Sequence, residues 1–163
     1  MRYFSLKKSF ILLFLSAALS AILSATFLGG CSSYYSSSGL TDAEEDYLTE
    51  IDLLDNNEDV LFFSSGLGIK QEGNFFTDKR VATYWIEPER PHREKRVSAD
   101  YSEIADISIA YSSNSLYAHK ITVTRIDGSQ FPVYIGFRRA IAQDFFEALI
   151  KQWQQEQWQQ EKQ

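Results

Sequence analysis

The residues that could do chemistry in this chain are few. Cys31 is its only cysteine, so an internal disulfide or a cysteine-rich zinc site is excluded. The two histidines, His92 and His119, have no metal-like neighbours. His119 falls on an apolar strand row and reads as a hydrogen-bonded histidine, and His92 reads as solvated. Asp55-Asn56-Asn57-Glu58-Asp59 opens like a calcium loop, but Val60 stands where the sharp turn needs glycine and Gly66 where the closing glutamate belongs. Gly66-Leu67-Gly68 lacks the third glycine and the following helix of a dinucleotide loop. No nucleophile elbow is present. The expectation is a chain without catalytic, metal or cofactor sites.

One charge feature remains. Arg90, Arg93, Lys95 and Arg96 cluster around His92, and Lys79 and Arg80 could extend them into a basic rim. Guanidinium and ammonium groups so placed suit an anionic headgroup or an acidic partner. Glu87, Glu89 and Glu94 dilute the cluster, which leaves open a solvated hairpin tip or pairing with an acidic helix. Arg138 and Arg139 precede the last helix, and an anion between them is the weaker reading.

The charges are unevenly placed. The 163-residue chain carries a net charge of −6, against the basic balance of a general nucleic-acid binder. No charged residue occurs from Ser9 to Thr41. Arg2, Lys7 and Lys8 precede the apolar run Phe10 to Leu28, which ends in Gly29-Gly30-Cys31. Basic start, apolar stretch and small residues make a secretory leader over residues 1–30. The run is also near the length that spans a bilayer as an uncleaved helix. Removing Arg2, Lys7 and Lys8 with the leader takes the charge from −6 to −9.

Leu28-Gly29-Gly30-Cys31 resembles the lipobox of bacterial lipoproteins. The resemblance implies cleavage before Cys31, lipid on its thiol, and acylation (palmitate among the chains) of the new amino terminus. Two or three acyl chains hold such a protein firmly. Ser32 implies sorting to the outer membrane, periplasmic side, if the host is Gram-negative. The lone cysteine directly after the apolar run favours this over the uncleaved helix.

Residues 31–40 read as a Ser-rich tether. Residues 41–55 read as an acidic amphipathic helix, with Thr41 and Glu44 at capping-box spacing. From 58 to 153 the pattern is seven short strands: Val60 to Phe63, Ile69 to Phe76 with Gly73-Asn74 as a break, Val81 to Glu87, Lys95 to Tyr101, Ile104 to Tyr111, Tyr117 to Ile126 and Phe131 to Phe137. Asp127-Gly128 predicts a type I′ hairpin turn, and Pro132 suits an edge. A helix from about Arg139 to Gln155 closes the domain, and residues 154–163 form a Gln-rich tail.

Several pieces in this order resemble the pleckstrin-homology superfold, closest to its GRAM and bacterial branches. They are Glu58-Asp59-Val60-Leu61, Gly73 through Val81, Tyr101 through Ile107, Asp127-Gly128, and Phe145-Phe146 with Leu149. The resemblance implies a mainly β fold: a seven-strand barrel capped by a C-terminal helix and here preceded by the amphipathic helix. Many such domains bind anionic headgroups through basic loops, although the loop between the first two strands offers only Lys70. The expected role is a lipid-anchored envelope lipoprotein with a non-catalytic protein-interaction module, joined to the membrane through Cys31 and to an unknown envelope protein. The alternative is an anionic lipid-headgroup domain using Arg90, Arg93, Lys95 and Arg96.

Overall fold

The computed structural model describes residues 34–36, 39–114 and 116–162. Cys31 and the leader lie outside these residues. Among the described residues no helix is long and apolar enough to cross a membrane.

The fold is mainly β, in two antiparallel sheets with a C-terminal helix. The first sheet has five strands in the order β1-β2-β3-β4-β5: Tyr34–Ser36, Val60–Ser64, Glu72–Thr77, Arg80–Trp85 and Lys95–Asp100. The second has three, β6-β7-β8: Ile104–Ala110, His119–Arg125 and Gln130–Ile135. Helix α1 spans Asp42–Glu50 and α2 spans Arg139–Gln160.

Three expectations about the strands change. The seven expected strands are all present, but they do not close into a barrel. Between β5 and β6 the chain turns through the short helix Tyr101–Glu103 instead of pairing. At the other seam β8 meets β3 through a side chain: the Tyr134 N–H donates to Asn74 Oδ1 (3.1 Å). Position 132 shares that outward direction and is proline, so it has no N–H with which to extend a ladder. Tyr34–Ser36, within the stretch read as a tether, pairs with Phe62 to Ser64 as an edge strand. β3 runs unbroken through Gly73 and Asn74, and the irregularity falls on β2 between Val60 and Phe62.

Asn74 Oδ1 also accepts from Thr83 Oγ1 (2.8 Å). One buried amide thus joins β3, β4 and β8. Asn74→Ala is expected to cost about 1–3 kcal/mol, because a desolvated N–H and hydroxyl lose their acceptor. Hydrogen exchange at the Tyr134 amide should speed up with it, and unchanged exchange would refute the link.

The five-stranded sheet lies between two cores. On its inner face Phe62, Phe76 and Val81 pack with Ile107, Ile121, Val123, Val133 and Ile135 of the second sheet and with Ala142, Phe145 and Leu149 of α2. On its outer face Phe63, Phe75, Ala82 and Tyr84 pack with Leu48, Ile51, Leu53 and Leu54. Helix α1 begins as its sequence requires, with Glu44 Oε2 accepting from the Thr41 N–H (2.8 Å). It stops at Glu50 rather than Asp55 because Asp52 takes a left-handed conformation (φ 59°). Aspartate tolerates this better than most side chains, and the turn swings Leu53 and Leu54 under the sheet.

Gly73 pairs with Tyr84, whose ring occupies the space a side chain there would need. The Tyr84 hydroxyl donates to the Ile69 carbonyl, and burial pushes its pKa well above the ordinary phenol value. Gly73→Ala is expected to destabilise by about 1–3 kcal/mol, since the ring cannot yield without breaking that bond. Thermal unfolding reads this, and a stability equal to wild type would show that Tyr84 can move aside.

The Asp127-Gly128 hairpin forms with a different turn. Only Gly128 has positive φ (85°). The Gly128 N–H donates to the Arg125 carbonyl (2.9 Å) and the Arg125 N–H to the Ser129 carbonyl (2.8 Å). This is the three-residue loop closed by a glycine bulge rather than type I′. α2 also outruns its expected end. Gln152 donates to the Asp78 carbonyl (3.2 Å) and Gln157 to the Tyr101 carbonyl (2.9 Å). The Gln-rich segment therefore continues the helix to Gln160, held by its glutamines.

Candidate functional site: a groove between the two sheets

Adjacent residues of a strand point to opposite faces. On β4, Thr83 and Trp85 face the second sheet, whereas Ala82 and Tyr84 face α1. On β5, Lys95 pairs with Trp85 and Val97 with Thr83, so both lie on the inner side, while Arg96 pairs with Tyr84 on the outer side. Where the inner face runs beyond β8 it leaves an open groove of about 780 Å³. Thr83, Trp85, Lys95 and Val97 form one wall and Phe131, Pro132 and Tyr134 the other, with His92 and Arg93 at the rim. Trp85 is 40% exposed and Tyr134 49% exposed.

The basic cluster is therefore divided. Arg93 and Lys95 reach the groove, and neither side chain has a hydrogen-bond or ion-pair partner among the described residues. Arg90 is engaged by Glu87 (3.1 Å) and Arg96 by Glu94 (3.1 Å). Lys79 and Arg80 are not part of this rim. They stand at the opposite end of β4, about 16 Å away at ~3.3 Å per residue. There Lys79 Nζ donates to the Asn57 carbonyl (2.6 Å), and Arg80 is tied to Glu58. Lys70 lies in the loop between β2 and β3, where its carbonyl accepts from the Tyr47 hydroxyl (3.2 Å).

Two carboxylates also line the groove, and both are occupied. Glu72 Oε1 accepts from the Gly66 and Leu67 N–H groups, and Glu87 faces Arg90. The unengaged charge in the groove is thus positive. Asn74, Trp85, Phe131 and Tyr134 are among the groove residues that sequence reasoning missed. A buried asparagine inside the run Asn74-Phe75-Phe76 was the one signal available, because a polar group there needs a partner.

Outside the groove, His119 is buried and its Nδ1 accepts from the Ser112 N–H (3.0 Å). That acceptor role places its proton on Nε2, which has no partner among the described residues. The ring lies edge-on to Tyr111 (5.6 Å). The Arg139 guanidinium covers the same tyrosine ring (4.2 Å), so Arg139 makes a cation–π contact. Among the described residues no group of three His, Cys, Asp or Glu side chains is placed to hold a metal.

No protein-family model matches the chain, and no curated protein does. Among solved structures, the chain is similar to a DUF1696 family protein with a pleckstrin-homology domain from Shewanella loihica PV-4, at a TM-score of 0.45 and 14% identity, over 69% of this chain and 87% of that one.

Proposed function

We propose that this chain is a lipid-anchored lipoprotein of the cell envelope whose folded part is a non-catalytic protein-binding module. The observation that carries the binding reading is the groove between the sheets, where two half-exposed aromatic side chains stand beside two unengaged cations. Aromatic residues and arginine are the side chains that dominate protein interfaces. The anchor reading rests on Cys31 and its apolar leader. Lipid at Cys31 holds the domain at the membrane, so the groove is free to recognise something else.

Mass spectrometry of membrane-extracted protein tests the anchor. The expected species begins at Cys31 and carries acyl chains, and an unmodified chain that retains Met1 would overturn it. Photo-crosslinking in the native envelope from position 134 tests the module. The expected result is a discrete adduct with another protein, and its absence beside a control position that does crosslink would count against the reading.

Headgroup recognition is the second reading, favoured by the free state of Arg93 and Lys95. Co-sedimentation of protein starting at Ser32 with phosphatidylglycerol and phosphatidylcholine vesicles separates the two. Equal, weak association with both is expected, whereas a strong preference for the anionic vesicles would favour the headgroup.

A further inference from the structure

We infer that the groove takes an extended acidic peptide with an apolar or aromatic side chain among its carboxylates, an assignment that rests on the protein-binding reading. Charge complementarity sets the sign. Arg93 and Lys95 enter the groove without partners, while Glu72 and Glu87 are satisfied by backbone N–H groups and by Arg90. A carboxylate arriving there meets two cations that need not first be released, so its attraction is not offset by a broken pair. A basic peptide would meet those cations unshielded.

The walls set the rest of the specificity. Val97, Phe131 and Pro132 make the lining apolar between Trp85 and Tyr134. An apolar or aromatic side chain would be desolvated there, whereas a polar headgroup would not take these apolar surfaces out of water. The opening, about 780 Å³, holds several side chains. Recognition runs through side chains rather than strand addition, because β8 offers Pro132, which has no N–H, and Tyr134, whose N–H is held by Asn74.

The test uses the full chain in phosphatidylcholine nanodiscs and fluorescent pentapeptides. One has phenylalanine between two pairs of acidic residues, the second has lysines for the acids, and the third has glycine for phenylalanine. The acidic aromatic peptide should bind best, each substituted peptide at least about tenfold more weakly. The charge reversal Arg93→Glu with Lys95→Glu should weaken it by at least about tenfold, and Trp85→Ala by a similar factor. Arg96→Glu, on the outer face, should change affinity by less than about twofold. Both reversed residues are exposed, and an unaltered melting temperature checks that the fold is kept.

Equal binding of the lysine peptide would overturn the assignment, as would full affinity in the Arg93→Glu, Lys95→Glu variant. So would binding to phosphatidylglycerol nanodiscs that depends on these two residues while no peptide binds. The envelope adduct described above separates the two levels. An adduct formed equally by wild type and the double variant keeps the protein-binding module and overturns the groove as its site.

Discussion

Replacing Phe145 with alanine is expected to lower the unfolding free energy by about 3–5 kcal/mol, the range for a buried aromatic side chain cut back in a core. Phe145 is fully buried in the first turns of α2. Its ring meets Phe62 edge-on at 4.9 Å and Phe76 at 5.1 Å, while Phe62 and Phe76 stack at 5.9 Å. These three rings join the helix to the inner face of the five-stranded sheet. Because the sheets are not closed by a continuous ladder, apolar packing between them and α2 does the work that strand pairing does in a barrel. A cavity under α2 therefore weakens the attachment of both sheets at once. Urea unfolding followed by tryptophan fluorescence measures the loss. The neighbouring Phe146 is only partly buried and serves as the comparison, with a smaller loss expected. Equal losses at the two positions would show that the ring cluster does not hold the layers together.

Much of this core is legible in the sequence. The row Phe131, Val133, Ile135 and Phe137 alternates as a half-buried strand must, and its first three members are buried, whereas Phe137 lies past the end of β8 and is exposed. In the row Tyr117, His119, Ile121 and Val123 the last three are buried, while Tyr117 precedes β7 and is exposed; Phe145 and Leu149 sit on the helical stripe their spacing predicts. What period and turn residues do not encode is how one sheet meets the other. Whether β5 and β6 pair or turn away is decided by the Tyr101–Glu103 turn, and how β8 meets β3 by a buried asparagine; neither alters the alternation. The basic cluster shows a different limit. Arg93, Lys95 and Arg96 are close in sequence, but a strand sends Lys95 and Arg96 to opposite faces. That division was available from the strand assignment alone. The engagement of Arg90 and Arg96 by Glu87 and Glu94 was not, since every acid in the loop was an equal candidate before the geometry was known. The anchoring of Gln152 and Gln157 was not legible either, because a side-chain amide bonded to a distant carbonyl leaves no periodic trace.

Arg80→Met is expected to destabilise the fold by about 3–5 kcal/mol near neutral pH, the range for breaking a buried ion pair from one side. The Glu58 side chain is 0% exposed. Its carboxylate accepts from Arg80 Nε (2.8 Å) and from the Asp55 N–H (3.2 Å). Arg80 also reaches Asp55 (2.6 Å) and Asp100 (3.6 Å), but those carboxylates are 70% and 57% exposed. Water screens them, so each is worth at most about 1 kcal/mol. Burial on its own would lower the pKa of the guanidinium; Glu58, then Asp100 and Asp55, outweigh it and hold the value above its ordinary range. Methionine fills similar volume and removes the charge, which leaves Glu58 as a buried anion with one N–H donor. The expected cost is thus the stranded carboxylate rather than the lost attraction. A double-mutant cycle tells these apart. Adding Glu58→Leu to Arg80→Met should restore most of the lost stability, because an apolar pair of matching volume needs no compensation in a buried site. If the double variant were as unstable as the sum of the two single changes, the cost would lie in lost packing along β4, and the buried carboxylate would have no part in it.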